Sequence, residues 1–377
     1  MIYFDNASTT FPKMDKFYKE TMEIYQSIGI NFSRENNSTS MKMSDIKGKL
    51  INNIKKIYKL SDVSRVIFNS SATFSLNEII QGLDYSKIKN IYISPFEHNS
   101  VYRVIKKIER EKNINLEIIK FNKFDLDIND LKLKFLSQKP DLIISTHASN
   151  VFGNIIPIKE IFEEGKKYNA ITVLDTAQTG GILDYEEIIR YTDFLIFAGH
   201  KNLYGPSGIG GYVINNEKIK LEPLLFGGTG IKSEEISMPE DLPERYEAGS
   251  PNTLGIIGLK LATDELLEIG IENIYIKKQN NLKKLMEILK EYEEDLEIYS
   301  EEKNNVGIIL INSKHTSPKE LEMFFNEYDV IVRSGLQCSP LAYKHMGIEE
   351  GGVRLSVGYF NEDEDFEKFE NILEEVL

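Results

Sequence analysis

The sequence predicts an α/β fold: a large domain built on a mostly parallel sheet flanked by helices, followed by a smaller α+β domain. Three observations carry this expectation. From about residue 60 to 215, short β-rich runs alternate with amphipathic stretches. The runs are apolar throughout, as strands buried on both faces of a parallel sheet must be. After about Asn252 the alternation gives way to long polar helices, a few strands and a closing helix.

In order, "SRVIFNSS" reads as a strand and "SLNEIIQGL" as a helix. The pairs "NIYIS" and "VYRVIKKIEREK", "LEIIKF" and "INDLKLKFL", and "DLIIST" and "IKEIFEEGKKY" repeat the pattern. "ITVLD", "DFLIF" and "IGGYVI" are the last strands of this series. Beyond it, "GLKLATDELLEIG" and "KKQNNLKKLMEILKEYEEDL" read as helices, "VGIILIN" and "DVIVRSG" as strands, and "DEDFEKFENILEEVL" as the final helix. No internal repeat is visible, and the charge runs "KEYEEDLE" and "NEDEDFEKFE" read as solvated helix faces.

Composition narrows the function. With 41% hydrophobic and 28% charged residues over 377, the chain is globular in composition. Its apolar runs are short and interrupted, so no membrane association is expected. The opening "MIYFDNASTT" lacks a basic stretch followed by an apolar core, and a cytoplasmic protein is expected. A net charge of −14 argues against nucleic acid as a partner. The single cysteine, Cys338, excludes an intrachain disulfide and a cysteine-clustered metal site. The histidines at 98, 147, 200, 315 and 345 form no HxH or HxxxH pair, so no metal site is expected.

The informative residues follow the strands, where ligands collect in such folds. "NSSATFSLN" opens a helix whose Ala72 and Thr73 can offer backbone N–H groups and a hydroxyl to an anion, or can form an ordinary Ser/Thr cap. His98 in "ISPFEHNS" can stack on a planar ligand or cap the next helix. Asn150 in "THASNVFGNIIP" is otherwise a turn asparagine. Asp175 ends the buried run of "VLDTAQ", where a carboxylate is costly without a cationic partner, and Gln178 follows. "AGHK" then places His200 and Lys201 after a strand, where a lone lysine would ordinarily be a solvated loop residue. A lysine, a carboxylate, an imidazole and a helix start together point to pyridoxal 5′-phosphate: an aldehyde for the lysine, a ring nitrogen for the carboxylate, a phosphate for the helix.

Taken together, the motifs SSAT, EHNS, SNVFGNIIPIKEI, DTAQ, GHKNLYGPSGIGG, RYEAGSPNT, RSGLQCSP and VRLSVGYFN, preceded by YFDNASTTFPK, resemble the class V (fold-type I) pyridoxal-phosphate enzymes from end to end. Within that superfamily they are most similar to the cysteine desulfurase family, in its group II or selenocysteine-lyase-like form. The resemblance implies a seven-stranded sheet in a large domain at 16–252. It also implies a small domain at 253–377 carrying Cys338 and Arg354, and an N-terminal segment at 1–15 packing near the active site and the small domain.

Residue by residue, the resemblance makes Lys201 the lysine that holds the cofactor covalently. Asp175 becomes the partner of the ring nitrogen, Gln178 that of the phenolic oxygen, and His98 the stacked imidazole. Ala72, Thr73 and His200 become phosphate-side residues. Asn150 and Arg354 hold the amino-acid substrate, Arg354 by its carboxylate, and Asn150 also borders the cofactor. Gly249 and Ser250 belong to a segment that reaches the second subunit's site, which implies a homodimer. Cys338 becomes the sulfur-accepting nucleophile.

The activity implied is removal of sulfur from L-cysteine to give L-alanine and a persulfide on Cys338, with a sulfur-acceptor protein as partner. L-selenocysteine cleavage, another C–S lyase activity, class V amino transfer and a non-catalytic binding role are the alternatives. The sequence departs from the family pattern at Ala198, where a phosphate-binding Ser is common, and at Ser250, where Thr is usual. It departs again at Leu336 and Gln337, often histidine, and in the loose loop "NFSRENNSTS".

Overall fold

The β-branched and aromatic runs become strands, and their alternate side chains enter two separate cores. The computed structural model describes residues 1–30, 37–230 and 234–376. Its main sheet has seven strands in the order Arg65–Asn69, Gly210–Ile214, Phe194–Ala198, Ile171–Asp175, Leu142–Thr146, Asn90–Ile93 and Asn115–Ile118. Only Gly210–Ile214 runs against its neighbours; the other pairings are parallel. Leu174, Leu195 and Phe197 enter one core, while Val173, Phe194 and Ile196 enter the other. That period of two explains why the central runs lack polar residues: both faces are covered.

The expected helices between strands are present as Ala72–Gly82, Asn99–Lys112, Ile128–Ser137 and Ile158–Lys166. Two earlier helices, Asp15–Ile28 and Ser38–Ile57, and a short hairpin joining Phe121–Asn122 to Asp125–Leu126, were not read from the sequence. Helix Thr253–Ile269 shares the first core, with Ile256, Leu259 and Leu266 buried alongside Met43, Leu50 and Ile54 of helix Ser38–Ile57. Residues 31–36 of the "NFSRENNSTS" loop lie outside the described residues.

Toward the C-terminus an antiparallel sheet orders Leu296–Ile298, Ile308–Ser313, Gly352–Ser356 and Arg333–Gly335. The N-terminus joins this part of the molecule. Ile2–Tyr3 pairs in parallel with Val330–Ile331, and Asp5 bridges to Ser356. Ile2 and Phe4 are buried in the same cluster as Ile309, Val353 and Leu355. Residues 5–8 are thereby delivered to the large sheet's carboxyl edge. Among the described residues, no helix is long and apolar enough to cross a membrane.

Candidate active site

Parallel strands point their carboxyl ends the same way, so residues that follow them in sequence meet in space. A cleft of about 240 Å³ opens at that edge, lined among others by Ala72, Thr73, His98, Asn150, Asp175, Gln178, His200, Lys201, Cys338 and Arg354. Gly249 and Ser250 do not reach it. They line a separate cavity with Phe68, Asn69, Gly208 and Leu225, where Gly249 takes φ +99 and its N–H bonds to Gly228 O.

The floor is dry. Asp175 closes its strand, is 5% exposed, and its carboxylate accepts a hydrogen bond from Ala177 N–H at 2.9 Å. Burial raises its carboxyl pKa, opposed by the Ala177 bond and the nearby Lys201 charge. Burial likewise lowers Lys201 to about 8, with Asp175 pulling the other way. A lysine so lowered has a sizeable neutral fraction near neutrality, as a nucleophilic or basic amine requires.

The capping reading of His98 is seen in the structure. It caps helix Asn99–Lys112 through Nδ1, which accepts from Ser100 N–H at 3.1 Å. The cap fixes the ring and leaves the proton on Nε2. Burial, then the charges of Lys201 and Arg333, lowers its pKa to about 4, so the ring is neutral. Ser71, a residue the sequence reading passed over, caps helix Ala72–Gly82 by accepting from Phe74 N–H at 3.2 Å. Ala72 and Thr73 therefore fall in the first turn, where N–H groups have no intrahelical acceptor.

The lysine loop is braced from two sides. Lys13 Nζ donates to His200 O at 2.6 Å and to Thr9 Oγ1. The buried Lys278 donates to Asn202 Oδ1 at 2.9 Å, and Asn202 Nδ2 donates to Gln178 O at 2.7 Å. Gln178 Nε2 donates to Ala7 O at 3.0 Å, using one of its two amide protons. Apart from the Lys13–Thr9 bond, none of these braces is local in sequence. "FPK" was the only available hint of Lys13.

Across the cleft stands the cysteine loop. Cys338 is exposed, and both it and Gln337 adopt left-handed backbone, φ +61 and +38. Each such non-glycine residue costs about 1–2 kcal/mol, so other contacts must hold the turn. Gln337 is one clamp: Nε2 donates to Arg333 O and Gly352 O, both at 3.0 Å, and Oε1 accepts from the Tyr343 hydroxyl. Where the family often has histidine, this glutamine builds the loop. Asn150 is another clamp, its Nδ2 donating to Gln337 O and its Oδ1 accepting from Ser339 Oγ, each at 2.7 Å. Asn99 N–H donates to Cys338 O at 2.8 Å, tying the loop to the helix capped by His98. Arg333, which the sequence reading also passed over, brings Nη2 to 3.9 Å from the Cys338 sulfur.

Arg354 is 2% exposed and sits between the two halves. Its Nη2 donates to Asp5 Oδ1 at 2.6 Å and Ser8 Oγ at 2.7 Å, and its Nη1 to Asn150 O at 2.8 Å. Its buried Nε has no partner among the described residues, and neither does His200 Nδ1. Among the described residues there is also no group of three or more His, Cys, Asp or Glu able to hold a metal ion.

The family model for class V aminotransferases matches residues 2–369. The chain belongs to this family. A probable cysteine desulfurase from Pyrococcus abyssi is 30% identical over 389 aligned positions, covering 100% of this chain and 94% of that protein. The apo structure of a cysteine desulfurase from Thermococcus onnurineus superposes with a TM-score of 0.90 at 27% identity, over 99% of this chain and 94% of that one. The cysteine desulfurase CsdA of Escherichia coli superposes with a TM-score of 0.88, over 100% of this chain and 94% of that one. At 18% identity it speaks for the fold alone.

The family depends on pyridoxal phosphate, and the cleft fits that group. A buried carboxylate suits a ring nitrogen that carries a proton. A helix start and the unpartnered His200 Nδ1 suit a phosphate. A neutral, capped imidazole suits stacking on a ring.

Proposed function

We propose that this chain is a cysteine desulfurase that converts L-cysteine to L-alanine and leaves the sulfur as a persulfide on Cys338. One observation carries the reading: the chain's only thiol is exposed on a clamped turn that shares a single cleft with the buried Asp175 and the half-buried Lys201. An aminotransferase needs the lysine and the carboxylate but has no use for a cysteine displayed there.

When bound, pyridoxal phosphate supplies an electron-accepting ring that holds the substrate amine. The residues around it divide the remaining work. Ala72, Thr73 and His200 would hold the phosphate, Asp175 would keep the ring nitrogen protonated, Gln178 would meet the phenolic oxygen, and His98 would cover the ring. Arg354 anchors the substrate carboxylate through a charge-assisted bond from Nε. Asn150 serves the substrate indirectly, by holding the cysteine loop in register with Arg354.

Lys201 Nζ takes the Cα proton and later returns one to the product. The Cys338 thiolate attacks the substrate sulfur. The S–S bond forms as the C–S bond breaks, the C–S electron pair stays with the substrate carbon, and protonation there completes alanine. Cysteine plus enzyme thiol thus becomes alanine plus enzyme persulfide, with atoms and electrons balanced.

Exposure of Cys338 supports onward transfer to a sulfur-acceptor protein, since a second macromolecule can reach it. The placement of Gly249 and Ser250 outside their own cleft supports a homodimer in which they serve the partner subunit's site. A free nucleophilic thiol is best kept in a reducing compartment, which supports the cytoplasm.

The test incubates holoenzyme with L-cysteine and a reductant, then quantifies alanine and sulfide for wild type and Cys338→Ala. Wild type should give both in equal amounts, and the variant should give neither above background while still binding cysteine. Alanine formation by the variant at the wild-type rate would reject the reading. Sedimentation of the holoenzyme tests the dimer, which a catalytically active monomer would exclude.

A further inference from the structure

The N-terminal segment carries a carboxylate that the reaction above does not use. Asp5 Oδ1 accepts from Arg354 Nη2 at 2.6 Å and from Ser8 Oγ at 2.9 Å. Ser8 Oγ accepts in turn from Arg354 Nη2 at 2.7 Å and from Arg333 Nη1 at 3.1 Å. Arg354, Arg333 and Ser8 line the cleft, whereas Asp5 does not. The guanidinium is therefore gripped from behind by an anion, and Nε is its one nitrogen without a partner among the described residues.

Asp5 is itself held firmly. It bridges to Ser356, two residues beyond Arg354 on the same strand, and its carbonyl accepts from the Tyr3 hydroxyl and from Ser8 N–H. Its backbone is thereby fixed beside the strand that carries Arg354, and Ser8 and the arginine hold the carboxylate itself.

We infer that Asp5 is a positioning residue that sets how tightly Arg354 grips the carboxylate of amino-acid substrate and product. The inference rests on the role of Arg354 proposed above. Two carboxylates would share one guanidinium, and inside a weakly screened site each lowers the attraction felt by the other. The ligand is then held less tightly than by an unpaired buried arginine, and alanine leaves more readily. Bonds to Asp5, Ser8 and the Asn150 carbonyl keep the fork oriented meanwhile, so orientation and strength of grip are set separately.

The experiment uses holoenzyme and two amines that differ only in the carboxylate, L-alanine and L-alaninol, with binding read from the cofactor absorbance. Asp5→Asn keeps an oxygen that can accept the Nη2 proton and removes the charge. It should bind alanine about tenfold more tightly and alaninol as wild type does, and KM and kcat for cysteine should fall together as product leaves more slowly. Asp5→Glu, which keeps the charge, should return alanine affinity toward wild type. Unchanged or weaker alanine binding by a folded Asp5→Asn variant overturns the inference and leaves the Arg354 anchor standing. A wild type that does not prefer alanine to alaninol overturns both. If Asp5→Asn does not fold, Asp5→Ser is neutral as well and carries the same expectation. Failure of both to fold assigns Asp5 a structural role instead.

Discussion

The two walls of the cleft are built on opposite principles. On one, Asp175 and Lys201 are drawn out of water, and burial moves both pKa values toward the neutral forms. On the other, Cys338 stands exposed on a turn in an unfavourable backbone region, held by side chains that do no chemistry themselves. Proton transfer at carbon needs a dry site and a tuned amine. A sulfur atom that must be handed on needs access and a fixed direction. The comparison teaches that burial sets reactivity on the first wall, and hydrogen-bonded geometry sets it on the second.

The largest effect should come from breaking the dry wall. Lys201→Ala removes the amine that moves the Cα proton, and alanine formation from cysteine should fall by at least about 10³-fold, within the usual range for an acid–base group. If the walls are independent, the rate at which iodoacetamide labels Cys338 should stay within about twofold of wild type. A large change in labelling would show that the loop depends on the lysine side.

Asn150→Ala sharpens the comparison from the other wall. It deletes two hydrogen bonds to the cysteine loop, worth together about 1–3 kcal/mol, so the turn should be populated less often. Cysteine turnover should fall about tenfold with alanine binding unchanged. Weakened alanine binding would instead place the amide directly on the substrate, as the resemblance implies.

A further test is one of pH. Burial is the first cause that lowers His98, His147 and His200, each to about 4, whereas an unfolded histidine protonates near 6.5. Between those values the unfolded chain binds more protons, so stability is full above about pH 6.5 and is lost as pH falls toward 4. The thermal midpoint should fall steadily over that window. A midpoint that is flat from pH 7 to 4 would mean that these histidines are not buried in the neutral form.

Much of the dry wall was legible from the sequence, for a simple reason. In a parallel sheet, any residue just after a strand lies at the carboxyl edge, so "VLDTAQ" and "AGHK" place Asp175 and Lys201 on one edge once their runs are recognised as strands, and the side-by-side pairing of those strands brings them together. The doubly apolar pattern of those runs is local information, encoded by adjacent residues and read without a partner.

What only the tertiary structure decided lies in contacts between distant segments. Asp5 meets Arg354 across 349 positions, and Asn150 reaches Gln337 across 187. Gln337 reads as a lost histidine in sequence, yet it is a clamp in space. Gly249 and Ser250 carry a family motif but line a different cavity. Short-range propensity specifies which segments become strands and helices. Which loops meet afterwards depends on how two cores pack and where the N-terminal strand docks, and no local stretch of sequence records that.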